Sequence, residues 1–557
     1  LLIAAADGKI RRLDAEGNLT GTFDVSDVAN NAKLATSRFD AKAWENKLSN
    51  QPKATPPKVN TTESVSKVLI NPSKIELVSP YGYTQLVVTA VLSDNTTRDI
   101  TRTADIVVPS WATLTTTGVV RAAGNGKGSV AVSYGGITSK IEMTAQGITP
   151  EKTDDLNHGS VDFIRDVGPI LSRLGCNQGT CHGAQKGKNG FKLSLRGYDP
   201  VYDLRALTDD LAARRINPAS PDESLMLRKP LGSSPHQGGV LMAKGDPYHT
   251  VLQRWIADGS KLNLASPRVT RIEVFPANPV VQRTDAEQQV RVIAHYEDGV
   301  QRDVTQEAFI ESGNTETAIV DKTGLLSAIR RGEAAILARY EGAYAATTLT
   351  VMGKRDGYEA VTVEQWTDID KLVADKWQRV KVIPSDVCDD STFLRRVHLD
   401  LTGLPPSSEQ VRNFLAEKKP TREKRARVVD ELIGSEAYID YWTNKWADLL
   451  QVNRKFLGVE GSTKFRQWIR TAIAENRPYN VFAEQVLTAT GSNNENPPAS
   501  YFKVLRTPEN TMENTTHLFL GIRFNCNKCH DHPFERWTQD QYYQMSAFFA
   551  QVGLEND

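Results

Sequence analysis

Apolar and polar residues alternate along two stretches of the chain, about 66–147 and 267–353, with breaks at Asp-Asn, Asp-Gly and Gly-Gly pairs. A period of two between turn residues predicts short strands, and many short strands predict a small antiparallel sandwich. The two stretches are copies of one pattern. LSDNTTRDIT (92–101) matches YEDGVQRDVT (296–305), and TGVVRAAGNGKGSVAVSYGG (117–136) matches TGLLSAIRRGEAAILARYEG (323–342). The pairs Arg98–Asp99 and Arg302–Asp303 recur at the same place. They are expected to be polar strand-edge residues that fix a turn; the alternative is a binding site.

Other stretches follow other periods. Residues 1–33 open with an apolar run, an Asp-Gly turn and an alternating run, which predicts a β-hairpin. A lone hairpin is marginally stable, so this one is expected to be the end of a larger sheet domain, resembling the last strands of a propeller blade. Residues 34–65, centred on QPKATPPKVNTTES, have linker composition. Between the two copies, 158–264 turns helical: SVDFIRDVGPILSRL has apolar residues at helical spacing, and PYHTVLQRWIADGS is a second helix stopped at Gly259. From 362 to 557 the helical period dominates. TREKRARVVDELIGSEAYIDYWTNKWADLLQ puts Val428, Leu432, Trp442, Trp446 and Leu449 on stripes three or four apart. Trp442, Trp446 and Trp468 are expected in the core rather than on a substrate-binding platform.

Size and charge narrow the function. A chain of 557 residues suggests about three to five domains. Lys plus Arg equals Asp plus Glu at 67 each, which gives no support to a nucleic-acid or anionic-membrane partner. No apolar run approaches the roughly 20 residues of a membrane helix. LLIAAADGKIRRL is too short and too soon polar for a signal peptide, so the chain reads as processed or as a fragment.

The chemistry lies in the cysteines. There are five, and four form two pairs, each closed by a histidine: Cys176, Cys181 and His182 in GCNQGTCHG, and Cys526, Cys529 and His530 in CNKCH. Cys-x-x-Cys-His is a haem-attachment pattern. Two thiols add across the porphyrin vinyl groups, and the adjoining imidazole ligates the iron. The first motif has four residues between its thiols, and the longer loop spans the vinyls by bulging outward. A disulfide between Cys176 and Cys181, or zinc at Cys526, Cys529, His530 and His532, are the competing readings. Distal ligands for the first haem are His236 in SSPHQGGVLM, or Met242. For the second they are His517 or Met545, or a group outside this chain. His532 is too near His530 to reach the opposite face; a propionate or a carboxylate is its expected partner. Asp531 and Glu535 are expected to tune the haem field or bind Arg536. Cys388 is left over as a buried thiol.

VDFIRDVGPILSRLGCNQGTCHG, NPASPDESLMLRKP, PHQGG and LQRWIADG together resemble the planctomycete-type cytochrome c domain of large surface proteins. STFLRRVHLDLTGLPPS, NRPYNVFAEQVLTATG and FLGIRFNCNKCHDHPFERWTQDQYYQMSAFF resemble the helical domain of unknown function that follows it there. The alternating copies resemble group-2 bacterial immunoglobulin-like domains. The resemblance implies a multidomain chain of two all-β immunoglobulin-like sandwiches and two mainly α-helical c-type haem domains, with two covalent haem c groups. His182, His530 and the four thiols carry over directly, and His236 after them. It also implies export to the periplasm or cell surface, a redox protein partner, other envelope proteins, and a further C-terminal domain missing here. It brings no demonstrated reaction. Electron transfer leads; a dihaem peroxidase-like enzyme and a structural or adhesive surface protein stabilised by haem are the alternatives. No Ser–His–Asp spacing or paired carboxylates speak for a hydrolase.

Overall fold

The structure is a computed structural model. It describes the backbone of three strands within residues 1–24, and residues 64–148, 161–353, 355, 357–529 and 537–555. The chain divides into two compact units, Leu1–Ser64 and Val65–Asp557. In the first, Leu2–Ala4, Lys9–Leu13 and Leu19–Asp24 form an antiparallel sheet. The expected hairpin is thus extended by a third strand. The linker reading of 34–65 lies almost wholly outside the described residues.

In the second unit the two alternating stretches fold alike into sandwich-like sets of sheets. Strands 65–71, 87–92 and 97–99 form one sheet, and 269–275, 291–296 and 301–303 form its counterpart. The facing sheets run 74–77, 137–145, 126–134, 105–107 in the first copy and 280–281, 343–351, 332–340, 309–312 in the second. The alternation sets what is buried. Leu86, Val88 and Ala90 are fully enclosed in one copy, and Val290, Val292 and Ala294 in the other. One feature departs from the antiparallel expectation. Lys74–Leu77 pairs parallel with the strand ending at Ala145, and Val280–Val281 parallel with the strand ending at Val351. The chain leaves the first sheet at Asn71–Pro72 or Phe275–Pro276, where proline can donate no ladder hydrogen bond. It then crosses to the edge of the other sheet.

Residues 161–266 lie between the copies. The expected helices form, at Gly168–Arg173 after an entry turn and at Pro247–Ala257, with Pro200–Thr208 between them. The rest is mostly turns, so this module is less helical than expected. Its core gathers Phe163, Val167, Leu207, Leu227, Trp255 and Ile256. It is fixed to the second sandwich by Arg302 on Asp166 at 2.9 Å, Arg173 on the Ala308 carbonyl at 3.1 Å and Tyr248 on the Gln306 carbonyl at 2.7 Å.

Residues 368–547 are helical, beginning with Asp368–Arg379. Glu333 of the second sandwich bridges Lys376 and Arg379, and Arg331 donates to the Val380 carbonyl at 2.7 Å. Val428 and Leu432 are buried as their stripe requires, and Trp446 and Trp468 pack against the core of Phe465, Ile469 and Phe482. Leu449 is not part of it. It is 47% exposed, because its helix turns the following Leu450 inward instead. No helix among the described residues is long and apolar enough to cross a membrane.

Candidate haem sites

The helix Gly168–Arg173 ends at Leu174 and is followed by Gly175 in the left-handed region at φ 81°, so Cys176 emerges directly from the helix end. The loop then closes on itself. His182 N–H donates to the Cys176 carbonyl at 3.0 Å, and Gly183 N–H to the Gln178 carbonyl at 3.0 Å. Gly183 has no substitute here: a Cβ would stand 2.0 Å from the Asn177 carbonyl oxygen. Asn177, absent from the sequence reading, is buried within this loop. Its amide donates to Ser172 Oγ at 2.8 Å, and its carbonyl accepts Arg196 N–H at 2.9 Å.

Both thiols of the loop are free, so they are not joined to each other. Burial pushes the Cys176 thiol up to about 12, and Cys181 is near enough to add to the effect. His182 Nδ1 lies 3.1 Å from the Phe191 carbonyl, and the ring packs on the Phe191 ring at 4.4 Å. A carbonyl only accepts, so Nδ1 carries the proton and Nε2 keeps its lone pair for a metal. Burial holds the His182 pKa below its usual value, helped by the positive groups of His236, Arg215 and Lys229 and opposed by the Phe191 carbonyl.

His236 therefore stands close enough to His182 for their charges to interact. It is exposed, and its own Nδ1 meets the Gly239 carbonyl at 3.1 Å. Gly238 gives the ring room, since a Cβ there would meet His236 Cε1 at 2.8 Å. Met242 is buried in the module core. A buried His249 escaped the sequence reading; its Nδ1 accepts Gly245 N–H at 3.3 Å, and nothing in its local pattern marked it out.

The second motif follows the helix Pro508–Leu520, which stops at Gly521 at φ 67°. Cys526 and Cys529 are both exposed, while Asn527 between them is buried and donates to the Trp537 carbonyl at 2.5 Å. The Lys528 carbonyl accepts from Gln539 and Tyr543, both at 3.0 Å. These bonds hold the loop with its thiols outward. His530, Asp531, His532, Glu535 and Arg536 lie outside the described residues. His517 is exposed on its helix, whereas Met545 packs with Met512, Phe524, Trp537 and Tyr542 beside the motif. Cys388 is half-buried rather than buried. It lies on an irregular approach to the helix Asp390–Thr402, where its carbonyl accepts from Arg425 at 2.7 Å.

The donor types present at the first loop are those that haem c attachment uses: two free thiols, and two imidazoles whose Nδ1 positions are already committed. Among the described residues, no group of three or more His, Cys, Asp or Glu is arranged to hold a bare metal ion.

No curated protein sequence matches the chain. Among solved structures, similarity extends to the S-layer protein SbsC domains 4 and 5, at 19% identity over 16% of this chain and 54% of that one, with a TM-score of 0.14. The structure of SbsC domains 5–6 matches at 8% identity over 53% of this chain and 100% of that one, with a TM-score of 0.22. The chain spans about half the length of the first of these, and likenesses this weak carry no argument. Residues 368–553, about a third of the chain, match the family described as "PSCyt2: Protein of unknown function (DUF1549)", so the helical region carrying Cys526 and Cys529 is similar to that family's domain.

Proposed function

We propose that this chain is an exported c-type haem protein that carries electrons at the cell envelope, with its sandwiches acting as spacers or docking modules of immunoglobulin-like type. One observation supports the reading above the others: His182 keeps Nε2 available, with Cys176 and Cys181 in its own loop and His236 close by in the same tautomeric state. A bound haem supplies a one-electron redox centre. Cys176 and Cys181 would anchor it and His182 and His236 would ligate it, while Phe191 sets the His182 ring. In the helical region Cys526, Cys529 and His530 would hold a second haem, and the outward thiols suit attachment near the surface.

The test is an absorption spectrum of the denatured, reduced chain in pyridine, with intact mass on the same sample, after expression with export and haem attachment. Two covalent haems are expected, and a C176S/C181S variant should lose one. A single haem in the parent would confine the reading to one centre; none would sink it. The native spectrum then separates carrier from peroxidase-like enzyme, since the enzyme needs one iron open to substrate.

A structural surface protein is the second reading. The hydrogen bonds that join the two sandwiches, Gln289 N–H to Asp99 at 2.7 Å and Gln85 N–H to Asp303 at 2.8 Å, favour it, and a haem that exchanges electrons with no soluble mediator would select it.

A further inference from the structure

A cavity of about 360 Å³ lies where the second sandwich gives way to the helical region. Arg331 lines it from the sandwich, Arg355 and Tyr358 from the connecting segment, and Lys381 from the turn after the helix Asp368–Arg379. Among the described residues that line it there is no carboxylate. Lys354 and Asp356, of opposite charge, flank Arg355 in sequence and lie outside the described residues.

The three cations are held in different ways. Arg331 is pinned at the seam: its Nε donates to the Met352 carbonyl at 3.0 Å and its Nη2 to the Val380 carbonyl at 2.7 Å. Both acceptors are neutral, so the charge itself is not cancelled. Arg355 is half-buried, and its Nε is shielded from water with no hydrogen-bond partner among the described residues. A donor in that position costs free energy until something accepts from it. The nearby acids are committed elsewhere. Glu333 bridges Lys376 and Arg379. Asp94, in a turn of the first sandwich, feels the Lys381 charge, but its Oδ1 accepts from the Thr96 amide and hydroxyl at 2.9 and 2.7 Å.

Charge and size together define an occupant. The carbonyl end of the helix Asp368–Arg379 offsets about half a charge, so about +2.5 remains on the three side chains. A carboxylate or a sulfate ester brings one negative charge, whereas a phosphomonoester brings about 1.5 to 2 and three acceptor oxygens. Guanidinium forks also match phosphate geometry. The volume is more than twice the ~150 Å³ known to hold benzene, which leaves room beyond the phosphate for a body the size of a sugar ring. We infer that this cavity binds a phosphomonoester on a sugar-sized body, its phosphate on Arg331, Arg355 and Lys381 and its body beside Tyr358.

Isothermal titration of the full chain with glucose 6-phosphate at pH 8 tests this, with glucose, inorganic phosphate and glucose 6-sulfate as comparisons. Glucose 6-phosphate should bind with micromolar to millimolar affinity, and each comparison at least tenfold more weakly. R355Q and K381G should each weaken binding at least tenfold. Neither should lower the thermal midpoint of the ligand-free chain. R355Q removes a buried donor that lacks a partner, and Lys381 sits at φ 50°, a conformation that glycine adopts without strain. No binding of glucose 6-phosphate, unchanged binding in the variants, or variants that melt earlier would each overturn the assignment. Equal binding of the sulfate ester would overturn the dianion, and equal binding of inorganic phosphate would overturn the sugar-sized body.

Discussion

Asp99 of the first sandwich accepts the backbone N–H of Gln289 in the second at 2.7 Å, and Asp303 returns the contact by accepting Gln85 N–H at 2.8 Å. The four residues occupy matching places in the two copies. The relation extends outward: Arg102 reaches Gln289 Oε1 at 3.2 Å, and Gln306 reaches Gln85 Oε1 at 3.4 Å. The copies therefore meet through one patch used twice, as in an isologous dimer. Each aspartate also fixes its own turn, Asp99 through Thr101 N–H and Asp303 through Thr305 N–H. The turn-fixing expectation for the Arg-Asp pairs stands beside a docking role.

Asp303 is the stronger partner, because its almost fully buried carboxylate also accepts Arg291 Nε at 2.7 Å. Removing it strands a guanidinium. Asp303→Ala should cost about 3–5 kcal/mol in denaturant unfolding of the full chain. A loss near zero would mean the seam contributes nothing.

Asp99 gives the seam a pH dependence. Burial raises its pKa from 3.8 to about 6, against hydrogen bonds from Thr101 and Gln289. A raised pKa means the folded state holds the proton longer. Its stabilisation is therefore complete below about pH 4 and lost between about pH 4 and 6. Measured against Asp99→Asn, the parent should lose on the order of 2–3 kcal/mol between pH 4 and 7. An unchanged difference across that range would contradict the assignment.

Gly183→Ala forces a Cβ to within 2.0 Å of the Asn177 carbonyl. The loop must open, at a cost of at least ~2 kcal/mol. The pyridine spectrum of the variant should report one haem instead of two, the survivor at Cys526 and Cys529. Retention of both would show that the loop closure does not matter for attachment.

His236 and Met242 separate by what else they do. Met242 is a core residue, so Met242→Ala should lower stability by about 2–5 kcal/mol. His236 is exposed, so His236→Ala should leave stability within about 0.5 kcal/mol in haem-free protein and change the native iron spectrum. A spectral change in the Met242 variant alone would transfer the distal role to it.

The period of two revealed where Val88, Val292 and their neighbours would be buried, since alternation directly records which side faces a core. The helical stripes did so less well at their ends. Leu449 and Leu450 are adjacent apolar residues, and only packing decides which turns inward. Cys388 was misplaced because burial of a lone thiol leaves no periodic trace. The thiols and His182 were visible in their spacing, but the Phe191 carbonyl that fixes the imidazole tautomer lies nine residues on, in a turn without a motif. The Asp99–Gln289 contact spans 190 residues. The repeat disclosed that two copies exist, and nothing local said that they dock.

That docking changes what the contact patch must achieve. Two separate chains meeting through a few hydrogen bonds would first lose their freedom to drift and tumble apart, a cost of several kcal/mol. Here the partner is carried on the same chain, so the meeting is intramolecular, with an effective concentration set by the connection rather than by the protein's concentration in solution. A surface too weak to make a dimer is sufficient to hold a tandem pair. The module between the copies is then a tether with both ends held, and its heavy use of turns costs the docked pair little.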